Sequence, residues 1–525
     1  MALKENREVT LSVLPHQATD DAFIQKALRR HKDLERFDVR AYRIKKKSID
    51  ARRKPVKVNL SVLVSESAEI SPSSTPKEYG LLKEGAKNII IVGAGPAGLF
   101  AGLRAIELGL RPIIIERGKD VESRRIDIAK ISREGTIEPD SNYCYGEGGA
   151  GAFSDGKLYT RSKKRGDVTE VLSILHQFGG SDDILINSHP HIGSDKLPGI
   201  IKNIREQIIR SGGEVRFNCR MEDLLIEDKK AIGVTTSTRD TLYGPVFLAT
   251  GHSARDIYRM LKRKRVKLEP KGIAIGVRLE HPQELIDKMQ YHSEEGRGKY
   301  LPAAEYSFVN QVDGRGVYTF CMCPGGVIVP AVSGQNQIVV NGMSASARSG
   351  KWANSGYVVE LHPGDIKGFE KAEELEMMAL QEYLEKEFFD PAEGNLKAPA
   401  QKIKDFIEGK ISKDLPSGSY APGLRAADLN KIFPKEISSR LRGGLQLIGK
   451  KNKDFVSNKG LMIGLESRTS SPVRIPRDAS TYQHLEIADL YPVGEGAGYA
   501  GGIVSSAIDG MNSVDAYYKN SKKNG

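Results

Sequence analysis

The chain has 525 residues, 39% of them hydrophobic and 28% charged, with a net charge of +12 and four cysteines. That length accommodates two or three domains and a sizeable core, and the composition excludes a disordered chain or a disulfide-stapled scaffold. The longest uncharged apolar stretch, residues 88–103, is broken by four glycines and a proline, and the first residues are polar, so neither a membrane span nor a signal peptide is expected.

Residues 7–14 alternate as a strand. Residues 17–31 read as a helix, with Ala18, Phe23, Ile24 and Leu28 apolar and Asp20 and Asp21 near the start. Strands follow at 37–45 and 56–64, which predicts a small βαββ α+β domain over 1–65. Residues 1–60 carry 16 Lys/Arg against 8 Asp/Glu, so most of the basic excess sits here. A nucleic-acid surface is one reading of this charge. A solvated face, or a basic wall guiding an anionic substrate, is favoured, because few aromatics beyond Phe37 and Tyr42 are interleaved. Residues 66–86, rich in Ser, Pro and Glu, read as a linker.

The apolar run 88–92 then enters Gly93-Ala94-Gly95-Pro96-Ala97-Gly98, and a second run, 112–115, ends at Glu116 and Arg117. Gly93 allows a tight turn, Gly95 lets backbone approach a pyrophosphate, and Gly98 lets helix and strand pack closely. The helix N-terminus offers free N–H groups to phosphates. Glu116, 23 residues after Gly93, suits a ribose diol. Strand, glycines, helix, second strand and acid agree on a dinucleotide site.

Residues 146–157 form a glycine-rich loop. Gly148, Gly149, Ser154, Asp155, Gly156 and Lys157 are its candidate contacts to the pyrophosphate or the ring system. A helix is expected over 194–211, a strand at 214–217 and a β-meander at 223–226, 231–236 and 241–248. From 268 to 458 the pattern changes to isolated strands and one long helix, 367–389, read as an inserted α+β substrate domain between nucleotide-binding parts at 87–267 and 459–525. Near the C-terminus a short strand runs into Gly494-Glu495-Gly496, and Gly502 and Ile503 open a small-residue helix.

These stations carry a resemblance. Leu248-Ala249-Thr250-Gly251 resembles the strand end of two-dinucleotide-fold flavoproteins, and in flavoprotein oxidoreductases the late strand-acid-helix element binds the ribityl chain and faces the flavin. The chain is therefore similar to glutathione-reductase-like FAD oxidoreductases, with a Rossmann-like FAD-binding fold. More closely it resembles the bacterial FAD-dependent dehydrogenases called NAD(FAD)-utilizing dehydrogenases, through residues 146–158, Pro190-His191-Ile192-Gly193-Ser194-Asp195, Cys321-Met322-Cys323-Pro324-Gly325-Gly326 and 466–474. The resemblance implies FAD and a redox role.

Several residues suit chemistry. Cys321 and Cys323 form the one close cysteine pair, at a strand end that in related flavoproteins lies over the ring; packed strand cysteines are the equal alternative. Cys144 lacks the second cysteine of a disulfide reductase. His191 is the candidate proton donor, with His189 and His281 as other possibilities. Arg468 and Arg474, and Arg278 with them, suit recognition of a carboxylate or phosphate. No metal site is expected, and no second GxGxxG follows, so NADH or NADPH would visit the substrate cleft as a transient reductant. The expected activity is a cytoplasmic FAD-dependent oxidoreductase moving hydride between flavin N5 and a small, anionic metabolite. The alternative is an FAD-containing tRNA-binding or tRNA-modifying protein using the basic N-terminal domain.

Overall fold

The computed structural model describes residues 6–70, 72, 75–159, 166–390, 392 and 396–523. Its centre is a wholly parallel five-stranded sheet in the order Leu490–Pro492, Val246–Leu248, Asn88–Val92, Arg111–Ile115, Glu214–Arg216. Alternation decides what each face meets. Ile89 and Ile91 pack with the helices Pro96–Glu107 and Ile503–Lys523. Ile90 and Val92 pack with Leu224 and Val234 of a three-stranded meander on the other face. Burial on both faces explains why these strands read as unbroken apolar runs.

The meander differs from expectation in its third strand. Residues 241–248 divide into Thr241–Tyr243, which stays in the meander, and Val246–Leu248, which joins the parallel sheet. Gly244, at φ +145°, and Pro245 make the break; Pro245 has no N–H for a ladder, and its carbonyl accepts from Ile90 N–H at 2.9 Å.

Seven of the described strands between 268 and 466 join into one sheet: Val309–Val312, Arg315–Cys323, Trp352–Leu361, Ile273–Pro282, Leu461–Glu466, Ala398–Lys402, Leu424–Ala426. Every pair is antiparallel except the last. Leu461–Glu466, expected with the nucleotide-binding part, lies inside this sheet with all six residues buried. A strand covered on both faces gives no alternation by which to tell the two sheets apart. The helix expected over 367–389 is a 3-10 segment, Glu370–Leu375, kinked within at Glu373 where φ is +55°, followed by a helix, Glu376–Glu387. The sequence reading missed the helix Lys435–Lys451, although Ile437, Leu441, Leu445 and Ile448 mark its buried stripe.

The N-terminal sheet is ordered Asn6–Val13, Lys57–Ser65, Ala41–Asp50, all antiparallel. Its helix, Asp21–Arg29, is capped by Asp20, whose carboxylate accepts from Phe23 N–H at 3.0 Å. Leu28, Leu60, Val62 and Val64 fill a core of its own.

Candidate functional site

A cavity of about 820 Å³ opens along the carboxyl ends of the parallel strands and reaches the antiparallel sheet. Gly93, Glu116, Ala249 and Val493, each just beyond one of four parallel strands, line it, as expected for a ligand site in such a sheet.

The glycine turn is sterically committed. A Cβ on Gly98 would lie 1.9 Å from the Gly93 carbonyl oxygen, and one on Gly93, at φ +108°, would lie 2.5 Å from that of Ala249. Gly98 thus closes the helix on the strand, while Gly93, Gly95, Pro96 and Ala97 face the cavity. The 146–151 loop crosses this turn, with Gly148 N–H donating to Ala94 O at 2.8 Å. Arg124, fully buried and unremarked in the sequence, shapes the loop by donating to the carbonyls of Asn142, Tyr143, Gly146 and Glu147.

Glu116 lines the cavity, but its carboxylate already accepts the N–H groups of Ala94, Gly118 and Gly146 at 2.9 to 3.0 Å. Any ribose contact therefore adds to a role in joining turn and loop. Arg117, also on the wall, pairs with Asp256 at 2.6 Å and lies over the Tyr145 ring.

Thr250, Gly251, Glu495, Gly502 and Ile503 line the middle of the cavity. Among the described residues, Thr250 Oγ1 is buried without a partner, and the Glu495 carboxyl receives no hydrogen bond. Burial raises the Glu495 carboxyl to about 7, against the opposing charge of Lys271. Gly148 and Gly494 stand behind the wall: a Cβ on Gly148 would meet Ile201, and Gly494 N–H donates to Asp509 at 2.7 Å. An orphaned hydroxyl, an unpaired carboxyl and the N-terminus of Pro96–Glu107, which has no side-chain cap, fit a dinucleotide cofactor.

The far end of the cavity is ionic. Asp155, 1% exposed, accepts from Ser344 Oγ at 2.6 Å and from Arg348 through two nitrogens, and pairs with Lys157 at 2.9 Å. Arg348 also pairs with Glu305 at 2.7 Å, and Glu305 faces His189 Nδ1 at 3.3 Å. Despite burial, the neighbouring His189, Arg348 and Lys157 hold Glu305 down at about 2. The bond to Glu305 raises His189. Lys157 Nζ donates to Met322 O. Although burial opposes its charge, Cys323, Asp155 and Cys321 hold its ammonium up.

Cys321 is half-buried, lines the cavity and takes φ +46° at a bulge against Trp352–Leu361. A hydrogen bond from Cys323, followed by the charges of Lys157 and Arg278, lowers its thiol well below the usual range. The same bond and burial push Cys323 up. All four cysteines are free thiols.

Four expectations need correction. Arg278 is fully buried and off the cavity wall, spent on Glu466 at 3.2 Å, Asn354 and the Cys321 carbonyl at 2.8 Å; its strand residues are buried on both faces, so it holds the cysteine turn. Arg474 is exposed off the cavity, with its guanidinium over Tyr499. His191 points to Ser346 O at 3.0 Å and leaves the wall to His189 and Pro190. Cys323, wholly buried, lies behind Cys321 with its Sγ 3.6 Å from Arg278. Arg468 does reach the cavity, but Glu385, at 3.0 Å, takes much of its charge. Sequence reading missed Glu305 and Arg348, which lie in irregular segments with no motif around them.

Residues 272–469 match the family model "FAD-dependent protein, C-terminal domain-like", and residues 5–65 match "Domain of unknown function (DUF8436)". A Clostridium beijerinckii protein, named only as an uncharacterized protein, is 40% identical over 508 residues, covering 93% of this chain and 94% of its own. The chain belongs to this family of FAD-dependent proteins.

Among solved structures, this FAD-dependent protein is similar to a geranylgeranyl bacteriochlorophyll reductase-like protein of Thermoplasma acidophilum. That likeness has 13% identity and a TM-score of 0.35, over 84% of this chain and 80% of that one. CtdE in complex with FAD gives 12% and 0.32, over 82% and 84%. Glycine oxidase from Bacillus cereus gives 13% and 0.30, over 83% and 95%. No described helix of this FAD-dependent protein is long and apolar enough to cross a membrane.

Proposed function

We propose that this FAD-dependent protein is a cytoplasmic oxidoreductase of the glutathione-reductase-like kind, acting on a small metabolite. The observation that carries this reading is the continuity of one cavity from the dinucleotide turn to Lys157 and Cys321. Bound FAD supplies hydride exchange there. The 93–97 turn binds the pyrophosphate, Glu116 and Arg117 the adenosine side, and Thr250, Gly251, Glu495, Gly502 and Ile503 the ribityl side.

The substrate end is built by Lys157, Cys321, Glu305 and His189. Lys157 attracts an anionic group, the role lost by Arg278 and Arg474. His189, with Nδ1 on Glu305, holds an exchangeable proton at Nε2. Aromatic side chains of Tyr159, Tyr318 and Phe320 narrow this end and limit water. NADH or NADPH enters the same cleft as a transient reductant, and the four free cysteines agree with a reducing compartment.

The test is anaerobic addition of NADH or NADPH to the purified holoprotein, followed at the long-wavelength flavin band. Bleaching by either supports a reductase. Protein that carries no flavin after incubation with FAD would overturn the reading.

A further inference from the structure

The N-terminal unit touches the rest of the chain where the cavity rim is made. Ser188 donates both its N–H, at 2.9 Å, and its hydroxyl, at 3.0 Å, to the carbonyl of Lys47 in the strand Ala41–Asp50. Lys47 and Asn187 form a parallel bridge there. Ala51 and Val56, on the turn between the last two N-terminal strands, pack against the core of the antiparallel sheet. The His16 ring lies 6.1 Å from that of Tyr300, in the segment that leads to Glu305. One small unit thus grips the segments carrying both members of the His189–Glu305 pair.

Among the described residues, little else holds His189 itself. Its side chain is 65% exposed, its ring lies 5.0 Å from Tyr159, and Glu305 is its ion-pair partner. Among the described residues, the charged and titratable groups facing it are Glu305, Arg348, Lys157 and the Tyr159 phenol. A rim histidine with free rotation would sample many positions; fixing the backbone at Ser188 removes that freedom on one side.

We propose that the N-terminal unit is a positioning element of the substrate site: through Lys47 it sets Ser188, and so holds His189 on Glu305 for proton exchange with the substrate. The proposal rests on the reading above in assigning His189 that proton, which passes to the substrate and is restored from solvent at the exposed ring. The basic N-terminal sheet then serves the cleft by docking. Several of its charges pair locally, Lys45 with Glu8 and Arg52 with Asp50.

The experiment uses full-length holoprotein labelled with 13C at histidine Cε1, the His189 signal being the one lost in His189→Gln. Its titration midpoint is expected above about 6.5 and falls toward that value in Glu305→Gln. Val56→Asp, which loosens the docking, is expected to lower the midpoint as Glu305→Gln does. Ser188→Ala, which removes one of two bonds to Lys47, gives a smaller fall in the same direction. Lys45→Ala, an exposed pair on the same strand, leaves it unchanged. If Val56→Asp does not yield folded holoprotein, Ser188→Ala decides alone. A midpoint that moves in Glu305→Gln but stays at the wild-type value in the docking variants overturns the proposal. Protein that takes up no flavin overturns the oxidoreductase reading, whereas this titration, run on histidine alone, reports the docking separately.

Discussion

Arg348 holds Asp155 in a two-pronged grip, Nε to Oδ1 at 3.0 Å and Nη2 to Oδ2 at 2.5 Å, where the glycine-rich loop meets the antiparallel sheet. Both side chains are nearly removed from solvent. The charges of Lys157 and Arg348 keep the carboxyl ionised against the cost of burial, well below the usual carboxylate range. Removing Arg348 leaves Asp155 only Lys157 and Ser344 among the described residues. Arg348→Met is therefore expected to destabilise the holoprotein, by less than the about 3–5 kcal/mol that a wholly unpaired buried charge costs, measured by urea unfolding. Arg348→Lys, which keeps the charge but not the fork, should lose less.

Gly98 tests the nucleotide turn. A methyl there would meet the Gly93 carbonyl oxygen at 1.9 Å, backbone that cannot swing aside. Gly98→Ala should push the helix Pro96–Glu107 off its strand and yield protein with little bound flavin, read as the ratio of flavin to protein absorbance. Gly199→Ala is the contrast, because nothing lies within 4 Å of the added carbon and the residue is exposed on the helix Leu197–Arg210, off the cavity wall; it should retain its flavin.

The two halves of the site were unequally legible in the sequence. The dinucleotide turn announces itself because backbone geometry dictates glycine at fixed spacing, and 93–98, Thr250 and Glu495 could be named from local pattern alone. The substrate end is built from side chains far apart in sequence, such as Asp155, Glu305 and Arg348. Their shared feature is mutual ion pairing across a sheet junction, which has no spacing to read. The same blindness misjudged the arginines: Arg278 looks like a substrate ligand until Glu466 and Asn354 are found around it. His191, in Pro190-His191-Ile192-Gly193-Ser194-Asp195, is the proton donor that the sequence offers ahead of His189. In the fold that motif supplies backbone, His191 pairing with Lys157 in an isolated bridge.

Cys321 is expected to be the fast-reacting thiol. It is half-buried on the cavity wall, as is Cys144, whereas Cys219 and Cys323 are buried. With its acidity increased by Cys323, Lys157 and Arg278, its alkylation rate should reach half-maximum well below the ordinary thiol value of about 8.5. Lys157→Met removes a nearby cation and should raise that midpoint, slowing alkylation near pH 6 by roughly tenfold, the equivalent of one unit. Peptide mapping of iodoacetamide-treated protein identifies the site. Equal labelling of Cys321 and Cys323 would contradict the assignment.

Glu495 gives the apoprotein a pH dependence of definite sign. Burial raises its carboxyl from about 4.5 to about 7, so across that window the folded chain binds a proton more readily than the unfolded one. Stability from this residue is therefore greatest at low pH and declines as pH rises through the window. Glu495→Gln removes the charge that must otherwise be buried. The variant's apoprotein should melt higher than wild type at pH 8, by roughly 1–3 °C, and the difference should shrink toward zero at pH 5. Thermal scans at the two pH values measure it, and a variant that melts lower than wild type at pH 8 would mean that Glu495 is charged and favourably paired in the fold.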